Sequence, residues 1–265
     1  MSQTCVRIVD YNYVFDSSVD LLPTTENSEF PASNVSKFHR AKVWRTTSAT
    51  SQALVFDLKT AESIDTFVMV FDPLSSPTFS SGTTFTLQAS ATNVWTAPPV
   101  SETPVLDEDA GVIVKFMTTA QEYRYWRILI NDASSTLGYF EVSKIILGLG
   151  NSISQPPSIG FTVEERDQSS IIDNEYGHEY ADSYPGRRRL ELEYKALTDA
   201  DRDIFRELYQ RNGRTKPILI AVDPLQATFL DKDDYVFYGF LSNDYEASQS
   251  FYTFFDIDLE LREAM

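Results

Sequence analysis

The side chains that usually carry out catalysis are scarce in this sequence, and those present do not form a catalytic pattern. The chain has two histidines, His39 and His178, and one cysteine, Cys5. The sequence contains no GxSxG, no GxxxxGK followed by Ser or Thr, no GxGxxG after a strand, no HExxH and no CxxC. We therefore predict that the protein is not an enzyme and needs no cofactor.

Acidic clusters offer the material for a metal site or a glycosidase pair, but their context favours simpler interpretations. Asp231-Lys-Asp-Asp234 resembles the start of a calcium loop, yet it lacks the glycine and the distal glutamate of an EF-hand, which favours a polar turn. Residues 107–109 are adjacent carboxylates in a proline-rich loop, where the separation needed for acid–base catalysis is seldom reached. The acidic neighbours of His178 are expected by chance in so acidic a chain. No metal site is predicted.

Ligand binding is the chemistry that the remaining polar and aromatic residues best support. Trp44 and Trp95 each lie in a polar, loop-like context, and Tyr139 begins a strand-like segment. A sugar face can stack on such rings, and His39 or Arg45 can donate hydrogen bonds to its hydroxyl groups. These five residues are the predicted ligand-binding set.

Short strands account for most of the elements that must position these residues. In residues 53–58, Leu54, Phe56 and Leu58 share one face, whereas residues 64–71 are apolar on both faces, as in a strand buried on both sides. Further predicted strands cover residues 83–89, 112–116, 123–130 and 139–147. Turn-rich segments separate them, which predicts an antiparallel β-sandwich.

A linker signal near residue 150 divides the chain, because residues 148–157 combine two glycines, two serines and a proline pair. We predict domains at 1–150 and 151–265. The second contains the one clear helix, which Thr198 and Asp201 cap at its start and Gly213 ends. Predicted strands surround this helix at residues 189–195, 216–222, 235–243 and 250–262. The second domain is therefore predicted as an α+β, split-barrel-like unit with one helix.

Composition and charge exclude several classes of function. Hydrophobic residues make up 42% of the 265 residues and aromatic residues 13%, as expected for a folded, strand-rich protein. The net charge of −17 argues against long-range attraction to nucleic acid or an anionic membrane. A single cysteine excludes intramolecular disulfides and cysteine-based zinc clusters. The N-terminus does not resemble a signal peptide and no stretch is long and apolar enough for a membrane helix, so we expect synthesis in a cytoplasm.

Six segments of residues 20–150 form one ordered pattern: Phe30-Pro-Ala-Ser-Asn-Val35, Val43-Trp-Arg-Thr46, Ala53-Leu-Val-Phe-Asp-Leu58, Ile64–Phe71, Tyr125-Trp-Arg-Ile128 and Phe140-Glu-Val-Ser-Lys-Ile-Ile-Leu-Gly148. In this pattern, residues 20–150 resemble the galactose-binding-like (discoidin, or coagulation factor 5/8 type C) β-sandwich. The resemblance implies a jelly-roll sandwich whose loops at one end contact glycans, lipids or proteins. The terminal disulfide usual in that family is missing.

Four segments follow one another in the second part: Gly186-Arg-Arg-Arg-Leu-Glu-Leu-Glu-Tyr194, Leu197-Thr-Asp-Ala-Asp-Arg-Asp-Ile-Phe205, Gly213-Arg-Thr-Lys-Pro-Ile-Leu219 and Tyr238-Gly-Phe-Leu241. In these segments, the second part resembles minor tail or tail-tip proteins of long-tailed bacteriophages. This resemblance implies a tail-type β-barrel with one packed helix, which docks to other tail proteins.

Two functional hypotheses follow. The first is a structural protein of a phage tail tip or baseplate, located in the virion, homo-oligomeric, and in contact with the tail tube or distal ring, the hub and fibres. The second is a carbohydrate-binding module that recognises host-surface glycans. A third, a hydrolase of glycans or peptidoglycan, has little support from the residues.

Overall fold

The computed structural model describes most of the chain and divides it into two compact units. The described residues are 6–71, 79–80, 82–107, 111–158, 161–167, 169–173, 179–182, 186–222 and 236–264. We call Val6–Ser152 with residues 219–222 and 236 the sandwich unit, and residues 153–218 with 237–264 the helix unit.

The division differs in one respect from the boundary expected at residue 150. The first change of unit falls between Ser152 and Ile153, but residues 219–222 group with the sandwich unit although the sequence placed them in the second domain. The domain assignment of 1–150 and 151–265 stays a prediction.

The sandwich unit consists of antiparallel strands with two short 3-10 helices. Its strands are β1 (Val6–Val9), β2 (Asp20–Pro23), β3 (Trp44–Arg45), β4 (Gln52–Val70), β5 (Thr84–Ser90), β6 (Val100–Glu102), β7 (Val105–Asp107), β8 (Val112–Asn131), β9 (Glu141–Val142), β10 (Lys144–Gly148) and β11 (Asn151–Ser152). The 3-10 helices are Tyr13–Phe15 and Ala32–Ser36. The main sheet has the order β10-β4-β8-β5-β6, with β2 also paired to β4 and β7 to β8.

Two long strands, β4 and β8, join segments that the sequence predicted as separate strands. They pair over most of their length, from Gln52 opposite Ile130 to Val70 opposite Val112. The pairing register shifts between Asp57 and Glu62 and again between Ile64 and Thr66. Such irregularities bend a strand and increase its local twist.

The second register shift decides which residues face the core. Before it, the even-numbered Leu54, Phe56 and Leu58 are in the core cluster; after it, the odd-numbered Phe67, Met69 and Phe71 are. Because side chains alternate along a strand, only an irregularity in the pairing can switch the core-facing positions from even-numbered to odd-numbered residues. Strand β8 shows the matching switch. The odd-numbered Ile113 is in the core cluster before the irregularity of β8, and the even-numbered Trp126, Ile128 and Ile130 are in it afterwards.

An ion pair holds the bend of β4. The Asp57 carboxylate accepts hydrogen bonds from Arg124 Nε at 2.7 Å and from Arg124 Nη2 at 2.9 Å. It also accepts one at 2.9 Å from the backbone N–H of Lys59, which has a left-handed φ of 69°. The hydrogen bonds from Arg124 are the main cause that holds the pKa of Asp57 far below its usual range.

A second set of strands in the sandwich unit has β1 at its centre. Strand β1 pairs with β11 on one side and, through residues 6–9, with β16 (Ile218–Val222) on the other. Buried Arg7 projects from β1 towards Asp65 and donates hydrogen bonds to Thr66 Oγ1 and to the carbonyl of Met117, each at 3.4 Å.

The helix unit contains a sheet with one helix packed on it and a separate two-stranded sheet. Besides β16, whose first residue belongs here, its elements are β12 (Phe161–Arg166), β13 (Ser170–Asp173), β14 (Glu179–Asp182), β15 (Arg187–Leu197), α1 (Asp199–Asn212), β17 (Val236–Leu241, whose first residue belongs to the sandwich unit), β18 (Ala247–Phe251) and β19 (Phe254–Glu263). Strands β13 and β14 pair with each other. Strand β15 pairs with β12 and β19, and β19 pairs with β17 and β18. Arg188 and Arg189 of β15 form ion pairs with Glu263 and Glu260 of β19.

The helix begins and ends where the sequence predicted. Thr198 Oγ1 accepts from the backbone N–H of Asp201, and the Asp201 carboxylate accepts from the N–H of Thr198, which completes a capping box. Gly213 ends the helix with a φ of 51°. Phe205 and Leu208 are buried, and the Phe205 ring packs 5.0 Å from that of Tyr194 in β15.

The C-terminal strand predicted over residues 250–262 is wrong in its first part. The chain turns at Tyr252, so β18 and β19 form a hairpin. Alternation over residues 250–262 predicts one shared face for Phe251, Phe255, Ile257, Leu259 and Leu261. Ile257, Leu259 and Leu261 are buried, but Phe251 is 73% exposed, Tyr252 86% and Phe254 38%. We call these three residues the aromatic tip.

The prediction of a mainly β chain is confirmed. Antiparallel sheets make up both units, and α1 is the one α-helix within the described ranges. None of the helices in the described part of the chain is long and apolar enough to cross a membrane.

We expect Asp57→Asn to lower the free energy of unfolding by about 1–3 kcal/mol at neutral pH, because it weakens charge-assisted hydrogen bonds at a buried position. The folded-state pKa of Asp57 is depressed, so its stabilisation is present above the unfolded pKa near 3.8 and is lost as pH falls towards the folded value. The difference between native and variant protein in urea unfolding should therefore shrink below about pH 4.

The matched control is Asp20→Asn, whose carboxylate pairs with Lys59 but is 60% exposed. An exposed pair contributes little, so this variant should unfold within about 0.5 kcal/mol of the native protein. Equal destabilisation by both substitutions would contradict the role given to Asp57.

Candidate functional site

Two residues of the predicted binding set, Arg45 and Tyr139, lie together at one end of the sandwich. The Arg45 guanidinium carbon lies 4.2 Å from the ring centroid of Phe30 and 4.8 Å from that of Tyr139. Arg45 Nε donates to Glu141 Oε1 at 2.5 Å. We call Phe30, Arg45, Tyr139 and Glu141 the rim cluster.

Backbone pairing brings the rim cluster together from three distant segments. Strands β3 and β9 place Arg45 opposite Glu141. Arg45 N–H donates to the carbonyl of Phe30 at 3.0 Å, and Thr46 N–H donates to the carbonyl of Phe140 at 3.0 Å. Main-chain hydrogen bonds therefore bring the backbones of Phe30, Arg45 and Glu141 together, and the Arg45–Glu141 side-chain hydrogen bond adds to them.

A buried lysine anchors the segment that precedes β3. Lys144 is fully buried, and its ammonium donates to the carbonyls of Asn34, Lys42 and Ser143 at 3.1, 2.8 and 2.7 Å. Burial, with a smaller contribution from Arg40, lowers the pKa of Lys144 to about 7. The Lys144 side chain thus connects Asn34 and Lys42, which both precede Arg45 in the sequence, to strand β10.

The loop that carries Tyr139 is pinned at its start by Asp132. This buried carboxylate accepts from Ser80 Oγ at 2.5 Å, from Ser80 N–H at 2.8 Å and from Ser134 N–H at 2.9 Å. Burial raises the pKa of Asp132, but these hydrogen bonds outweigh burial and the net shift is downwards. The charged form of Asp132 thus holds the loop between β8 and β9.

Neutral polar groups lie beside the rim cluster. Thr25 Oγ1 donates to Gln52 Oε1 at 2.5 Å, and the N–H of Thr47 donates to Thr25 Oγ1 at 3.1 Å. These residues flank the backbone of Arg45, whose carbonyl accepts from Asn27 N–H at 2.8 Å. The end of the sandwich therefore combines a cation, a carboxylate, two rings and hydroxyl and amide groups.

The prediction that Trp44 stacks on a ligand is wrong. Its side chain has no exposed surface and belongs to the core cluster, and its Nε1 donates to the carbonyl of Thr25 at 3.3 Å. The strand alternation that exposes part of Arg45 turns Trp44 inwards.

Trp95 lies apart from the rim cluster. Its half-buried ring packs on Arg127, whose guanidinium carbon is 4.5 Å from the ring centroid, and Trp95 Nε1 donates to Asn93 at 2.7 Å. In the pairing of β5 with β8, Arg127 lies opposite Gln88, and Asn131 lies opposite Thr84, four residues away along β5. Asn131 is the last residue of β8, after which the loop that carries Tyr139 begins. Four residues of strand span about 13 Å, so Trp95 and Tyr139 occupy different places on the sandwich.

His39 is exposed in the segment between the second 3-10 helix and β3. Within the described ranges, no hydrogen bond or ion pair connects its side chain to the rim cluster. Its place in a binding site stays a prediction.

Several acidic candidates cannot be placed. His178, residues 231–234, Glu108 and Asp109 lie outside the described residues, and Asp107 is described only as the last residue of β7. In the part of the chain that the structure describes, no three His, Cys, Asp or Glu side chains are grouped to hold a metal ion.

Sequence reasoning missed Phe30 and Glu141 as members of the cluster. Phe30 precedes a proline, and Glu141 alternates with Phe140 and Val142, which are both buried. That alternation indicates that Glu141 points away from the core, but only the β3–β9 register places it opposite Arg45.

A separate polar cleft of about 400 Å³ lies along β6 and the first half of β8. Its size is within the range of small-ligand sites. Lys115 and Glu102 form an ion pair of 2.6 Å within it. The lining residues are Pro99, Val100, Ser101, Glu102, Lys115, Phe116, Met117, Thr118, Thr119 and Gln121.

No protein-family model matches the chain, and no curated protein matches it. Among solved structures, it is similar to the family 32 carbohydrate-binding module of Clostridium perfringens NanJ in complex with galactose, with 14% identity and a TM-score of 0.42, covering 54% of this chain and 98% of that chain. It is also similar to chitosan-binding module 1 of a Paenibacillus sp. IK-5 chitosanase/glucanase, with 14% identity, a TM-score of 0.39 and coverage of 52% and 98%. The lectin domain of lectinolysin complexed with Lewis B antigen has 10% identity, a TM-score of 0.40 and coverage of 52% and 95%.

The two tryptophans should respond differently to truncation. Trp44→Ala removes a fully buried ring and should lower the free energy of unfolding by about 3–5 kcal/mol. Trp95→Ala loses mainly its contact with Arg127 and should cost about 1 kcal/mol or less. Urea unfolding followed by circular dichroism measures both, and similar losses would contradict the burial of Trp44.

Proposed function

We propose that the sandwich unit binds a carbohydrate and that the rim cluster is its binding site. The observation that carries this proposal is the partly exposed Arg45–Glu141 pair between two aromatic rings, held in place by backbone pairing of β3 with β9. The Arg45 side chain is 30% exposed and that of Glu141 15%.

The chemistry of the cluster suits the hydroxyl groups of a sugar. The Arg45 guanidinium carries N–H donors and the Glu141 carboxylate carries acceptors, so neighbouring hydroxyls can accept from one and donate to the other. One face of the Tyr139 ring is in contact with Arg45, and the half-buried ring leaves an outer surface on which the apolar face of a sugar stacks. Such a fixed site binds with little ordering of its own side chains.

A glycan array followed by calorimetric titration with the strongest binders tests the proposal. We expect Arg45→Ala and Tyr139→Ala to weaken binding at least tenfold, equivalent to about 1.4 kcal/mol. The fold should be retained, because both side chains are partly exposed.

Trp95→Ala and Lys115→Ala are the matched controls, because Trp95 packs on Arg127 and Lys115 lines the polar cleft, both apart from the rim cluster. Both should bind the glycan as the native protein does. Loss of binding in either control, with Arg45→Ala unaffected, would move the site away from the rim cluster. No binding of any glycan at millimolar concentration would reject the proposal.

We propose a second function for the helix unit, as the docking part of a tail-tip or baseplate protein in the virion of a long-tailed phage. Its support is the sequence resemblance of residues 186–241 and the exposed aromatic tip, since contiguous apolar surface commonly marks a protein contact. The partners would be the tail tube or distal ring, the hub and fibres, and the sandwich would face host glycans.

Mass spectrometry and immunogold labelling of purified phage particles test this second proposal. We expect the chain in intact particles and gold at the tail tip. Particles that lack the chain would overturn the virion assignment and leave the glycan proposal unaffected.

A further inference from the structure

Arg127 lies on the outer face of the main sheet, and its side chain has no carboxylate partner among the described residues. Trp126 and Ile128 belong to the core cluster, so Arg127 between them points outwards. Arg127 Nε donates to Gln88 Oε1 at 2.9 Å, and Nη2 donates to the same oxygen. The guanidinium carbon lies 4.5 Å from the ring centroid of Trp95. We call Gln88, Trp95 and Arg127 the Arg127 site.

The lack of a carboxylate distinguishes Arg127 from other arginines of similar exposure. Four half-buried arginines each form an ion pair with an Asp or Glu side chain: Arg45, Arg188, Arg189 and Arg202. With 39 acidic and 22 basic residues in the chain, such pairing is the expected arrangement. Arg127 is half-buried too, but it pairs with the neutral amide of Gln88.

The guanidinium of Arg127 retains N–H groups with which a ligand can form hydrogen bonds. A guanidinium has five N–H groups, and Gln88 accepts from two of them. Arg127 Nη1 has no hydrogen-bond partner in the described part of the chain, yet it is not enclosed by other atoms, so solvent reaches it. Burial lowers the pKa of Arg127, and no carboxylate among the described residues opposes that effect. An oxyanion can therefore bind here without displacing an internal partner.

The Arg127 site is held in place by the protein itself. The pairing of β5 with β8 puts Gln88 directly opposite Arg127. The Trp95 ring packs against the guanidinium, and its Nε1 donates to Asn93 Oδ1 at 2.7 Å. An arginine that is held at one edge and covered on one face loses little side-chain freedom when it binds a carboxylate.

Hydroxyl and apolar side chains surround the Arg127 site on the same face of the sheet. Thr86 lies two residues from Gln88 along β5, and Ser101 of β6 lies opposite Gln88. Val55 of β4 lies opposite Arg127 on the other side of β8. Directly paired residues point to one face, so these side chains border the site. Hydroxyl groups beside an aromatic ring and an aliphatic surface suit a sugar, which has both hydroxyl groups and an apolar face.

We propose that the Arg127 site binds a sugar that carries a carboxylate, such as a uronic acid. The guanidinium fork matches the two oxygens of a carboxylate, and each group carries one unit of charge. A phosphate brings up to two negative charges, which one arginine does not neutralise in a chain of net charge −17. At the rim cluster, Glu141 already neutralises Arg45 and repels a further carboxylate. The two sites therefore differ in the charge of the sugar that each accepts.

Quenching of tryptophan fluorescence by acrylamide tests binding at this place on the full chain. Trp44 and Trp126 have no exposed surface, whereas Trp95 is half-buried, so quenching reports mainly on Trp95. The probes are methyl galacturonoside, which has one carboxylate, and its methyl ester, which has none. We expect the acid to protect Trp95 with a dissociation constant of about 10 mM or lower, and the ester to require at least tenfold more.

Three results with the native protein would each overturn the proposal. The first is an acid that gives no protection of Trp95 at about 50 mM. The second is equal protection by acid and ester, since the carboxylate would then contribute nothing. The third is protection by inorganic phosphate at a lower concentration than by the acid, which would assign the site to a phosphate. None of these comparisons depends on the folding of a variant.

Two variants that each remove one positive charge provide the matched comparison. Arg127→Gln removes the proposed ligand contact, whereas Lys37→Gln removes an exposed charge that forms no ion pair among the described residues. Calorimetric titration with the acid should show binding at least tenfold weaker for Arg127→Gln and within about twofold of native for Lys37→Gln. Equal weakening by both variants would indicate a general effect of charge and overturn the proposal. Glycan binding at the rim cluster is measured separately with Arg45→Ala, so either site can fail without the other.

Discussion

The antiparallel ladder between β4 and β8 is the feature on which the sandwich unit depends. These two strands pair over most of their length, and both contribute side chains to one core on either side of their register shifts. The bend lies where the register shifts, and Asp57 holds it through Arg124 and the left-handed Lys59. Without the parity change that follows, Phe67 and Met69 would face away from the core.

The rim cluster depends on that frame and on two buried ionisable side chains. Asp132 follows β8 directly and fixes the loop that carries Tyr139, whereas Lys144 in β10 fixes the chain that enters β3 and carries Arg45. Each of them makes several hydrogen bonds to backbone or hydroxyl groups, which lowers the cost of burying a polar side chain. A cluster assembled from residues 30, 45 and 139–141 needs such anchors, because these residues come from separate segments of the chain.

The two units present different surfaces. In the sandwich unit, the rim cluster combines donors, acceptors and rings, which suits a polar ligand. In the helix unit, the aromatic tip is an exposed apolar surface, with Phe251 73% and Tyr252 86% exposed.

The sequence by itself determined the elements whose signals are local. The helix from Asp199 to Asn212 follows from its capping box and terminal glycine, and the mainly β character follows from alternation in segments such as residues 53–58. Tertiary structure decided what depends on pairing between distant segments. Trp44 and Arg45 are neighbours in a polar context, yet one is buried and the other lies at the rim, because β3 pairs with β9 in one register. Glu141 lies beside Arg45 for the same reason, whereas Phe30 lies there because its carbonyl accepts a hydrogen bond from Arg45 N–H. Phe251 is exposed because the turn at Tyr252 places it on a separate strand from the buried residues of β19. Periodicity reports which residues share a face, but only the partner strand decides what that face meets.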